Sequence, residues 1–167
     1  MEQYAMPILP LQHDLHPALP NIFPHADYQE FREMLIKIDE ILRKSGLESQ
    51  LVDQAFDQWI KEHPQTKIEE LGHKEYAFHW KNLKYALRCN IARSLVGQSF
   101  RKFSIRLADS DLLQWFTGIN AFGYRKAASK STLDRYSKMF DENMLETQIH
   151  QWQSSFLSVK KKQWASD

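Results

Sequence analysis

Apolar residues recur every three or four positions along most of the chain, with charged and amide side chains between them, which is the period of amphipathic helices. From 27 to 44 the repeat runs Tyr28, Phe31, Met34, Leu35, Ile38, Ile41, Leu42, and Gly46 follows as a terminator. Leu51, Val52, Ala55, Phe56, Trp59 and Ile60 predict a second helix over 47–62, ended by Pro64. With only a Ser-Gly break between them, the two read as an antiparallel hairpin. Tyr76, Trp80, Leu83, Leu87, Ile91 and Leu95 predict a long helix over 74–96, broken at Gly97. A short basic helix over 100–107 comes next. A further helix starts at Asp109 or Ser110, buries Leu112, Leu113, Trp115 and Phe116, and stops at Gly118. After a loop over 119–130, Ser131 stands three residues before Asp134, a capping-box spacing. That helix turns Leu133, Tyr136, Met139 and Phe140 inward, and a last one, over 142–158, carries Met144, Leu145, Ile149, Trp152 and Phe156. Alternation of period two is missing over any useful length, so the expected fold is all-α, a multi-helix bundle.

Five of the six prolines fall within residues 1–25. Proline removes a backbone donor and disfavours helix around itself, so this stretch reads as an extended arm. The organisation that follows is an arm (1–25), an acidic helical hairpin (26–72), a basic helical region (73–160) and a short tail (161–167).

Composition adds little until it is divided along the chain. Of 167 residues, 26% are charged and 43% hydrophobic, which excludes global disorder, and no apolar run reaches a membrane span. A single cysteine, Cys89, fits a reducing cytoplasm and reads as a core thiol. The net charge of +1 hides an asymmetry. Residues 1–75 hold 14 acids against 7 Lys/Arg, while residues 76–167 hold 7 acids against 15. From Tyr76 to Ala108 there is no acid at all, against seven Lys/Arg. Either the basic half meets a polyanion, or the acidic half folds onto it and neutralises it; the sequence leaves both open. Lys81, Lys84 and Arg88 recur on one face of the long helix and would repel one another unless phosphates or carboxylates lie opposite. Asp39, Glu40, Asp53, Asp57 and Glu62 read as a solvated face.

The chain has no Gly-rich phosphate loop, no C-x-x-C, no H-E-x-x-H and no nucleophile elbow. His79 and His150 are isolated in helical patterns. The reading is therefore of a non-enzyme, with no cofactor and no metal. The positive signal lies in 109–140. A short helix, a connection and a capped helix form what a helix-turn-helix needs, although the loop of a dozen residues is longer than the usual turn. Ser131 and Thr132 in the first helical turn could meet phosphate or base edges. Lys130, Arg135 and Lys138, with Arg125 and Lys126 in the loop, add cations.

The stretch SLVGQSFRKFSIRLADSDLLQWFTGI, followed by SKSTLDRYSKMF, resembles the N-terminal region of bacterial insertion-sequence transposases of the DDE type. The counterparts are Ser110-Asp111, Phe116-Thr117-Gly118 and Ser131-Thr132-Leu133-Asp134-Arg135, and the match covers roughly residues 80–145. Where that family often has Pro-Asp-His-like residues, this chain has Ala127-Ala128-Ser129-Lys130. The resemblance implies binding to double-stranded DNA, at the terminal inverted repeats of a mobile element, by a cytoplasmic protein associated with the nucleoid when bound. A homodimer is compatible with it, and no membrane is involved. It also implies that the catalytic core, whose acidic residues hold metal, would follow this region, so the chain reads as a truncated N-terminal portion. Asp109, Asp111, Asp134 and Asp141 are accordingly expected to be helix-start acids. The alternatives are a helical protein-interaction module and a stand-alone helix-turn-helix transcriptional regulator.

Overall fold

The computed structural model describes residues 26–65, 72–119 and 127–164, and these contain seven helices and no strand. The Pro-rich arm, Arg125, Lys126 and the last three residues of the tail lie outside the described residues. The fold is thus all-α, as the periodicity predicts.

Helices α1 (Ala26–Lys44) and α2 (Leu47–Glu62) pack against each other as the expected hairpin. Leu35, Ile38 and Leu42 of α1 and Leu51, Val52, Ala55 and Phe56 of α2 are buried. Helix α3 (His73–Val96) is the hub, packed against α2, α4, α5, α6 and α7. Surrounded in this way, its middle is buried on several sides rather than along one stripe. Leu83, Ala86, Leu87, Cys89, Ile91 and Ala92 all lose contact with water. Among them, Ala86, Cys89 and Ala92 are small, which lets neighbouring helices approach closely.

Helices α4 (Phe100–Asp109) and α5 (Asp111–Thr117) are joined by Ser110 alone. Its hydroxyl accepts from the Leu113 amide at 3.2 Å, satisfying one of the free donors at the start of α5. Both α3 and α5 end on a left-handed glycine, Gly97 at φ +66° and Gly118 at φ +67°, a conformation that side chains with a Cβ resist. Helix α6 (Lys130–Ser137) rests on α3 and α4. Helix α7 (Glu142–Trp164) returns across α3 and α1, fixed at its start by Asp141, whose carboxylate accepts from the Met144 amide at 3.2 Å. It runs six residues past the predicted end, because the Lys and Gln residues there are good helix formers.

One cluster of buried apolar side chains draws on all seven helices. Phe103, Leu107, Leu112, Leu113 and Phe116 of α4 and α5 share it with Leu133, Tyr136 and Phe140 and with Leu145 and Ile149. No helix of the described residues is long and apolar enough to cross a membrane.

Candidate nucleic-acid interface

The first turn of α6 is built differently from the capping box read in the sequence. The cap is Ser129, whose hydroxyl accepts from the Thr132 amide at 3.2 Å. Ser131 is already inside the helix, and Asp134 is engaged with Lys138 at 2.9 Å. A serine at 129 precedes the helix with extended backbone, φ −67° and ψ 164°, whereas Ser131 is helical and cannot cap. The result is a knot of hydroxyls at the helix start. Ser129 Oγ lies 3.0 Å from Ser131 Oγ and 2.9 Å from Thr132 Oγ1, and Arg135 Nη2 donates to Thr132 Oγ1 at 3.4 Å. Lys130, Ser131 and Arg135 are exposed.

This turn is held firmly from beneath. Leu133 and Tyr136 insert into the core. Asn90 Nδ2 donates to the Tyr136 carbonyl at 2.8 Å, and the Tyr136 hydroxyl donates to Asn82 Oδ1 at 3.1 Å. Burial is the main reason the Tyr136 pKa is raised. From α4, the Ser104 hydroxyl donates to the Ala128 carbonyl at 2.7 Å, so the strand of backbone entering α6 is tied to α4. Exposed Arg101, Lys102 and Arg106 belong to that same α4. They were not singled out from the sequence, although the acid-free stretch that contains them was the signal.

The nominated cations separate into three groups. Lys130 and Arg135 present free charge at the surface, and Lys138 is exposed but pairs with Asp134 along its own helix. Lys81 is exposed on α3, its ammonium 5.7 Å from the centre of the Tyr85 ring. Lys84 is half-buried, 4.0 Å from Glu48 and 5.9 Å from the Trp80 ring centre.

Arg88 is the correction. It is 3% exposed and faces the interior, so no phosphate reaches it. Nη1 donates to Asp39 Oδ1 at 2.8 Å and to the Phe116 carbonyl at 2.8 Å, while Nε and Nη2 grip the two oxygens of Glu48. Desolvation pulls its pKa down, but the hydrogen bonds and charges of Glu48 and Asp39 outweigh it, and the guanidinium ends above its ordinary value. Asp39, expected on the solvated face, is 1% exposed and is also held by Arg43. Asp53, which does stay exposed, accepts from the Trp80 indole at 3.3 Å. Among the described residues, the acidic hairpin therefore neutralises part of the basic half, at Arg88 and Lys84, and forms no ion pair with the cations of α4 and α6.

No protein-family model, curated protein or solved structure matches the chain. The chemistry of this surface has to be read from its own residues. Among the described residues, no three His, Cys, Asp or Glu gather as metal ligands would. Cys89 is fully buried, and desolvation pushes its thiol up to about 12, which keeps it protonated. His79 is packed against the Trp59 ring at 4.5 Å, and His150 is exposed on α7.

Proposed function

We propose that the chain is a DNA-binding helical module that offers the first turn of α6 to double-stranded DNA and has no catalysis of its own. The observation that carries this reading is the hydroxyl knot of Ser129, Ser131 and Thr132 beside the free cations Lys130 and Arg135, on a helix start anchored to α3 and α4. A helix N-terminus favours anions through its unpaired amides and its dipole. Hydroxyls and arginine supply the remaining donors that phosphates and base edges accept. Exposed Arg101, one turn before Ser104 on the adjoining α4, adds a cation on the side that meets the start of α6, while Lys102 and Arg106 turn to the opposite face of α4, beside Tyr28, Asp109 and Asp111. The resemblance to the N-terminal region of insertion-sequence transposases supports the same reading, with the terminal inverted repeats as the target and α5–α6 in the part of a helix-turn-helix.

The test is fluorescence anisotropy with duplex from the sequence flanking the gene and with scrambled duplex, over a salt series. Tighter binding to the flanking duplex is expected, with a steep salt slope. Arg135→Ala should weaken binding and reduce the slope by about one. Absence of binding at low salt would overturn the reading. It would favour the second one, a helical interaction module, for which the internal pairing of Arg88 with Asp39 and Glu48 speaks.

A further inference from the structure

Phe78 is the most exposed large apolar side chain of the described residues, at 69%. It stands on α3 in a stripe of mixed chemistry. Lys74 and Lys81, at i−4 and i+3, are both exposed, and Tyr85 follows at i+7. By helical geometry these three fall on one flank of Phe78, with Glu75 on the other. Asn82, at i+4, accepts the Tyr136 hydroxyl of α6, so Phe78 lies about one turn of α3, roughly 6 Å of rise, from the α6 contact. Behind Phe78 the rings are already engaged. His79 meets its edge at 5.9 Å and stacks toward Trp59, and Trp59 stacks with His63 and Phe56. Phe78 is the outer end of this series and is mostly exposed.

A protein partner would need a continuous apolar patch. The other exposed large apolar residues among the described ones, Ile105, Met144 and Leu157, are on α4 and α7, so no second one stands beside Phe78 on α3. Inside a duplex the base faces are covered by stacking, and a ring reaches them only by unstacking a step, at a cost in free energy. An unpaired nucleotide offers both a free base face and a phosphate for a neighbouring lysine.

We infer that Phe78, flanked by Lys74 and Lys81, is a stacking site for an unpaired nucleotide at the end of a DNA duplex held by α6. The inference rests on the duplex-binding reading and adds the class of DNA, a duplex with a single-stranded extension.

The test compares a blunt duplex with the same duplex carrying a short oligo-dT extension, by anisotropy at fixed salt. The variants are Phe78→Ala, Phe78→Leu and Phe78→Trp. Since the side chain is mostly in water, all three should keep the wild-type circular dichroism. The extension should tighten wild-type binding by about tenfold, and Ala and Leu should lose that gain while Trp keeps it. Blunt-duplex affinity should be the same in all four proteins. If Ala binds the extended duplex as wild type does, the stacking site is overturned and the duplex reading stands. An equal loss on blunt and extended duplex would also overturn it, since Phe78 would then be no reader of unpaired bases. If wild type binds neither DNA, both readings fall.

Discussion

Replacing Arg88 by Met should disrupt this protein's charge node without touching the surface proposed to meet DNA. Arg88 carries one positive charge between two carboxylates, and its removal leaves both of them inside. Asp39 keeps Arg43 at 2.6 Å, but among the described residues Glu48 is left with Lys84, 4.0 Å away. The Phe116 carbonyl, in the last turn of α5, loses its donor as well. Taking one partner from a buried ion pair costs about 3–5 kcal/mol, because a desolvated charge remains uncompensated. That is a large share of the roughly 5–15 kcal/mol that holds a domain together. For a chain of this size it corresponds to a fall in Tm on the order of 10 °C.

The assay is urea unfolding followed by circular dichroism, with Arg135→Ala as a surface control expected to stay within about 0.5 kcal/mol of wild type. Adding Glu48→Met to Arg88→Met should restore part of the loss, since the stranded carboxylate is then gone, and the double-mutant cycle reads the coupling directly. In DNA binding below its lowered Tm, Arg88→Met should keep the wild-type salt slope, because a residue 3% exposed touches no phosphate. Stability within 1 kcal/mol of wild type, together with a salt slope reduced by about one, would refute the reasoning. It would return Arg88 to the surface.

Other substitutions probe the supports of α6 and the core. Ser129→Ala should lower stability by about 1 kcal/mol through loss of the cap, while Ser131→Ala should leave urea unfolding nearly unchanged. Asn90→Leu takes one of two donors from the Tyr136 carbonyl, which keeps the Met139 amide at 3.2 Å, and should cost about 1 kcal/mol, with faster amide hydrogen exchange in α6. Cys89 should resist thiol reagents until the protein unfolds. Its raised pKa also has a pH signature. Above about 9 the unfolded thiol releases its proton while the folded one keeps it up to about 12, so stability falls as pH rises through that window. Cys89→Ala should flatten that fall in urea titrations at successive pH values.

The helices were legible because their signals are local. A repeat of three and four residues fixed α1 and α2 almost to the residue, and Ser110, Gly97 and Gly118 marked ends that a short window contains. The Ser129 cap was missed for a related reason. Ser129, Ser131 and Thr132 all suit a cap, and only the backbone at 129, tied down through Ala128 to Ser104, decides among them. Arg88 was misread because its partners are 40 and 49 residues away. Spacing on α3 placed it with Lys81 and Lys84, but nothing local shows that α1, α2 and α5 meet at that part of α3. Arg101, Lys102 and Arg106 were visible only as part of a charge count, since their role depends on which helix α4 lies against.

That difference bears on the charge asymmetry itself. The acidic hairpin and the basic half could have cancelled throughout, leaving no surface for a polyanion. Instead, among the described residues, the cancellation centres on the middle of α3, where Arg88 ties α1, α2 and α5 together, and it stops short of α4 and α6. An arginine holding two carboxylates and a helix-end carbonyl spans three elements that no apolar side chain could link with such directionality. Charge thus has two separable parts here, an internal node that orients α5 and an exposed set on α4 and α6. A mutation in the first should change stability with little change in salt slope, and one in the second should do the reverse.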